Sequence, residues 1–149
     1  MKFIVTSELG RLARWLRLAG HDTLYYTHAV DGTLIVMALR DNRMIITRRK
    51  EKIGNCAVQT VVLAATEVRA QLHELALTVT LAPAAGAVCS RCAVCNGELE
   101  RVAKEPHATA LPAYVALHKR LLMRCAACGK IYWHGTHVEK IKEIIDTLQ

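Results

Sequence analysis

The chain has 149 residues, 52% of them hydrophobic and 22% charged, with only 8 Gly and 3 Pro. Those proportions exclude a disordered, collagen-like or low-complexity chain. Its +7 net charge favours a polyanionic partner, and nucleic acid over membrane because no basic amphipathic segment stands alone.

No uncharged apolar stretch approaches the roughly 18–20 residues of a membrane span. Glu8, Arg11 and Arg14 interrupt the N-terminal segment too early for a secretion signal, so a cytoplasmic protein is expected. The charge is uneven: residues 1–54 carry net +5 and residues 55–149 net +2.

Lys2–Val5 reads as a short apolar strand. Ser7 is placed to cap a helix whose Leu9, Leu12, Ala13, Leu16 and Ala19 share one face, with Gly20 ending it. Arg11, Arg14 and Arg17 fall on the opposite arc and predict a cationic surface. Asp22–Tyr26 is a second strand, and Asp31 can cap a helix over Thr33–Arg40, closed by Asp41-Asn42. Met44–Thr47 is a third strand, followed by the basic cluster Arg48, Arg49, Lys50 and Lys52. Val58–Ala64, nearly all apolar, predicts a strand buried on both faces. Thr66 can cap a third helix with Val68, Leu72, Leu75 and Ala76 inward.

This alternation predicts an α/β domain over residues 1–82, its mostly parallel sheet flanked by helices. Function in such sheets collects beyond the carboxyl ends of the strands, which singles out Thr6, Ser7, Glu8, Thr47, Arg48 and Arg49. Residues 83–88 read as a small-residue linker.

Residues 89–149 have a different character. Five of six cysteines fall there, as Cys89-x2-Cys92-x2-Cys95 and Cys125-x2-Cys128, while Cys56 stands alone as a small apolar residue. In a reducing compartment this spacing indicates metal ligation rather than cross-linking. Cys92, Cys95, Cys125 and Cys128 suit one tetrahedral Zn2+; Asn96-Gly97 and Gly129 follow the turns and tolerate positive φ. Pairing Cys89 with Cys92 is the alternative first turn. Four thiolates leave no open position, so the zinc is expected to be structural, and so small a core should need it to fold. Glu98–Val102 and Lys130–Trp133 read as strands, Pro112–Met123 as helix or strand, and Val138–Leu148 as a terminal helix. His134 and His137 follow the second turn, where they could supplement the metal site or touch a ligand; a surface position is expected for both.

Three segments together resemble the Mut-seven C-terminal family of PIN-like ribonuclease domains. The first is Phe3-Ile4-Val5 followed by Leu9-Gly10-Arg11-Leu12-Ala13-Arg14-Trp15-Leu16-Arg17-Leu18-Ala19-Gly20-His21-Asp22-Thr23. The second is Ile45-Ile46-Thr47-Arg48. The third is the pair of cysteine turns, with Gly129-Lys130-Ile131-Tyr132-Trp133 and Gly135-Thr136-His137 after them. The resemblance implies a small PIN-like α/β domain, a C-terminal zinc ribbon and metal-dependent cleavage of RNA. Strand-end carboxylates in such nucleases hold Mg2+ or Mn2+, which activates water for attack on phosphorus.

Two family acids fall here on Thr6 and Arg49, and the third is retained as Asp31. A divalent ion and a guanidinium about 5 Å apart repel by roughly 6–7 kcal/mol at an effective dielectric near 20. A shifted triad of Asp31, Glu8 and Glu51 is one way to keep the metal. The other is to exchange it for phosphate binding by Arg11, Arg14, Arg17, Arg48, Arg49 and Lys50. A third role is a protein-interaction module, with the ribbon or an open sheet edge docking a partner.

Overall fold

The computed structural model describes residues 1–49, 53, 58–82, 86–104, 111–119, 121–133 and 135–147, with backbone alone at 136, 137, 140 and 146. Lys50, Glu51, Lys52, Cys56, His134 and Leu148 lie outside the described residues, as do linker positions 83–85.

β1 (Lys2–Thr6), β2 (Asp22–Tyr26), β3 (Met44–Thr47) and β4 (Thr60–Val62) form a parallel sheet in the order β2-β1-β3-β4. Strand alternation splits its apolar residues between two faces. Phe3, Val5 and Ile46 pack under α1 (Gly10–Leu18) and α3 (Val68–Ala76), while Ile4 and Ile45 pack under α2 (Gly32–Arg40). The α1 stripe is buried as its spacing predicts, from Leu9 through Leu12, Ala13 and Leu16 to Ala19. Each fully buried leucine contributes about 1.5–3 kcal/mol.

Three local expectations are corrected. Ser7 caps nothing: Ser7–Leu9 is a turn of 3-10 helix, and the Ser7 carbonyl accepts from Tyr25 Oη at 2.7 Å. Thr66 caps nothing either. The α3 entry is held instead by Glu74, which accepts from the Ala64 and Ala65 N–H groups, and by Gln71, which donates to the Ala65 and Thr66 carbonyls. The run Val58–Ala64 narrows to the short strand β4, at the sheet's edge among the described residues; Thr60 and Val62 are exposed and Val61 half-buried, so the strand is not buried on both faces.

The second half holds an antiparallel sheet of β5 (Leu99–Val102), β6 (Leu122–Cys125) and β7 (Ile131–Trp133), in the order β5-β6-β7. The ambiguous Pro112–Met123 resolves into both alternatives: α4 (Ala113–His118) and the start of β6. α5 (Thr136–Asp146) returns to the first half, where Ile141 and Ile145 pack with Ala19, Trp15 and Leu18. Among the described residues no helix is long and apolar enough to cross a membrane.

Candidate functional site

The four sulfur atoms of Cys92, Cys95, Cys125 and Cys128 lie within 4.8 Å of one another, positioned to bind a metal ion. Cys92 and Cys128 are 3.6 Å apart and Cys95 and Cys125 3.4 Å, close to the edge of about 3.8 Å that four Zn–S bonds of about 2.3 Å impose. Positive φ falls on Asn96 (71°) and Gly129 (73°). Gly97 serves closeness instead, since a Cβ there would stand 2.8 Å from Cys125 Sγ. The Cys128 N–H points at Cys125 Sγ, and Tyr132 Oη lies 3.0 Å from Cys92 Sγ, where it can donate to a thiolate. Thiolate charge, spacing and donated hydrogen bonds all fit Zn2+. Cys89 is not in the cluster; it is partly buried beside α5.

This first cysteine turn docks on the free edge of β2. Asn96 Oδ1 accepts from the Thr23 N–H at 2.9 Å, and its Nδ2 donates to Asp22 Oδ1 at 2.7 Å. Arg43 grips the same carboxylate with two bonds, at 2.9 and 3.0 Å. Burial raises the Asp22 pKa, but the Arg43 and Asn96 hydrogen bonds outweigh it and hold the group below its ordinary value.

Arg17 completes this joint, which corrects its expected place on the exposed cationic arc. Its residue is 6% exposed; Nε donates to the Thr23 carbonyl at 2.9 Å, and Nη1 to Ala93 and Val94 carbonyls at 3.2 and 2.8 Å. Helical spacing does place it away from the leucine stripe, but the ribbon covers that part of the arc.

At the carboxyl ends of β1 and β3 the central group is Glu8. The turn Ser7–Leu9 folds its side chain back over the strand ends, where Oε1 accepts from Thr6 Oγ1 (2.6 Å), Thr47 Oγ1 (2.9 Å) and the Arg48 N–H (2.9 Å). Arg49 Nε stands 3.6 Å from Oε2. Burial pushes the carboxyl up, but the bonds from Thr6 and from the Arg48 N–H, with those from its own N–H and Thr47, dominate and lower its pKa to about 2.

The sign follows from linkage. The folded value lies below the ordinary 4.5, so Glu8 contributes stability that is present above pH 4.5 and lost as pH falls through about 2. We expect Glu8→Gln to lose about 2 kcal/mol at neutral pH and to show a flatter acid arm between those limits. Urea midpoints against pH check this, and equal acid slopes in both proteins would reject it.

Asp31 sits apart at the start of α2. Its Oδ1 accepts from Tyr26 Oη and the Thr33 N–H, both at 3.0 Å, and from the Leu34 N–H at 3.4 Å. The Tyr26 bond is the main cause of its lowered pKa. Asp31 is therefore an N-cap as the sequence predicts, and Tyr26 pairs in register with Thr6. The shifted triad of Asp31, Glu8 and Glu51 includes a residue outside the described ones, Glu51; among the described residues the four cysteines are the one group of three or more metal-ligating side chains.

The basic residues also divide. Arg48 and Arg49 stay at the strand end, and the buried Arg48 Nε has no hydrogen-bond partner among the described residues. Arg11 and Arg14 instead line a groove toward the ribbon, together with Trp15, Arg101, Lys130 and Trp133; neither Arg48 nor Arg49 reaches it. Sequence reasoning missed this groove because its walls come from α1, β5, the second cysteine turn and α5; the exposed aromatic in Tyr132-Trp133 was the available signal.

Residues 1–145 match the family model described as Mut7-C RNAse domain. No curated protein and no solved structure matches the chain.

Proposed function

Because the chain belongs to the Mut7-C RNAse domain family, we propose that it is an RNA-binding protein that holds phosphate at its strand ends and does not hydrolyse RNA with a divalent metal. The observation that carries this reading is the engagement of Glu8. One carboxylate oxygen already accepts three hydrogen bonds and the other faces a guanidinium, so the acid nearest the Thr6 and Arg49 positions has little charge left for Mg2+ or Mn2+. Arg48 and Arg49 beside it suit a phosphodiester better than a cation.

In this reading the residues divide the work. Glu8 positions Arg49 and the Arg48 backbone, the guanidinium groups meet phosphate, and Asp31 fixes the start of α2. Cys92, Cys95, Cys125 and Cys128 would hold a structural Zn2+ that shapes the ribbon and, through Asn96 and Arg17, its seat on the sheet. The division into an α/β unit over 1–82 and a ribbon unit over 89–149, with a cytoplasmic location, belongs to the same proposal.

The test is a labelled single-stranded RNA incubated with the zinc-loaded protein, with and without added Mn2+ or Mg2+. The expected result is salt-sensitive binding without cleavage, weakened by Arg49→Glu, while a Thr6→Asp/Arg49→Asp protein gains metal-dependent cleavage. Metal-dependent cleavage by the unaltered protein, abolished by Glu8→Gln or Asp31→Asn, would overturn the binding-only reading. A second reading, docking of a protein partner, draws on Tyr114 and Leu117 of α4, which are 64% and 76% exposed. A stable partner captured by a protein that binds no RNA would favour it.

A further inference from the structure

The strand-end site leaves a second set of cations unused. α1, the β5-β6-β7 sheet and α5 surround an open groove of about 1200 Å3. Arg11 and Arg14 enter it from α1, Arg101 from β5, Lys130 from the second cysteine turn and Lys142 from α5. None of these five is in an ion pair among the described residues; a sixth lining cation, Arg91, pairs with Glu98 at 3.6 Å, and no Asp or Glu is itself among the described residues that line the groove. Five like charges gathered round one concavity repel one another, and an anionic occupant removes that repulsion.

The walls between the cations narrow the choice of anion. They are largely apolar and include both tryptophans of the chain, Trp15 and Trp133, the latter 38% exposed. A small anion would satisfy one or two cations and leave the indole surface wet. An acidic peptide would satisfy charge but has no reason to prefer indole faces. A single-stranded polynucleotide supplies both, as phosphates at intervals and unpaired bases free to stack. A duplex offers phosphates but keeps its base faces covered.

We propose that this groove is a track for single-stranded RNA, gripped by the five cations and by base stacking on Trp133. The inference rests on the RNA-binding reading above, and places the principal contact away from the strand ends. The two regions adjoin along the chain: Arg11 follows Glu8 by about one helical turn, so a strand lying along α1 would run from one toward the other.

Because both tryptophans line the groove, intrinsic fluorescence reports its occupancy directly. A short oligouridylate titrated into the zinc-loaded protein should quench tryptophan emission saturably, while a duplex of the same length should bind more weakly. Trp133→Ala, at an exposed position, should keep the native circular dichroism and bind about tenfold more weakly. Arg101→Gln should reduce the slope of log affinity against log salt by about 0.7. Binding that leaves emission unchanged and survives both substitutions, yet is lost in Arg49→Glu, would overturn the groove and leave the strand-end reading standing. Preference for the duplex would also overturn it. Failure to bind any RNA would remove both readings together.

Discussion

A Cys125→Ser protein is expected to lose its bound zinc and, with it, the folded ribbon. Among the described residues between 89 and 133 the buried apolar side chains, apart from the cysteines themselves, are Val115 and Leu122. At about 1.5–3 kcal/mol each they cannot offset the roughly 1–2 kcal/mol of backbone entropy lost at every ordered residue. A structural zinc site contributes about 10–16 kcal/mol at neutral pH, more than those two side chains together. Serine supplies a poorer ligand, and the removed sulfur is the one closest to Gly97 and 3.4 Å from Cys95. The measurement is metal content per chain alongside amide exchange. The variant should hold no zinc and lose protection across β5, β6 and β7, and chelation of the unaltered protein should give the same pattern. Full protection in the zinc-free chain would show that the ribbon folds on packing alone.

The second large effect is expected from Arg17→Met. Three carbonyls, of Thr23, Ala93 and Val94, rely on this guanidinium in a setting that water reaches poorly. Hydrogen bonds to a charged group contribute about 1.5–3 kcal/mol each, and burying the arginine takes some of that back. We therefore expect a net loss of about 3–5 kcal/mol in urea unfolding, with Arg17→Lys recovering only part because one ammonium cannot reproduce the planar fork. A loss below about 0.5 kcal/mol, the size seen at surface positions, would place Arg17 back in solvent.

Arg17 also shows where reading the sequence stops. Helical periodicity reports the arc a residue occupies, and the arc carrying Arg11, Arg14 and Arg17 does face away from Leu12 and Leu16. It carries no information about a partner whose carbonyls lie 76 and 77 residues later in the chain. The first three strands, the α1 and α2 faces and the Asp31 cap were legible because each depends on neighbours within a few residues. β4 was not, because an apolar run looks alike in a central strand and at an edge, and strand order is a long-range property.

The metal centre was legible for a related reason: Cys-x2-Cys spacing fixes local turn geometry, and only the meeting of the two turns is long-range. The strand-end site was legible as a place but not as chemistry. Spacing offers Glu8 as an acid two residues beyond Thr6, but it does not show that the 3-10 turn brings the carboxylate against two threonine hydroxyls and an arginine. The parallel-sheet rule brings Thr47 and Arg48 to the same edge as Glu8, but it does not say which atoms will face one another.

The seat of the cysteine turn on β2 has a consequence for how this protein meets copies of itself. A strand at the margin of a sheet presents unpaired N–H and C=O groups to any extended segment nearby, and is a common starting point for aggregation. Here the five-residue margin at Asp22–Tyr26 is guarded near its start, since both backbone groups of Thr23 are occupied by Asn96 and Arg17. The opposite margin, Thr60–Val62, is only three residues long and a poor template. The zinc ligands thus protect solubility at a distance: stripping the metal would uncover the longer margin, and the zinc-free chain should be the form that adds strand to strand.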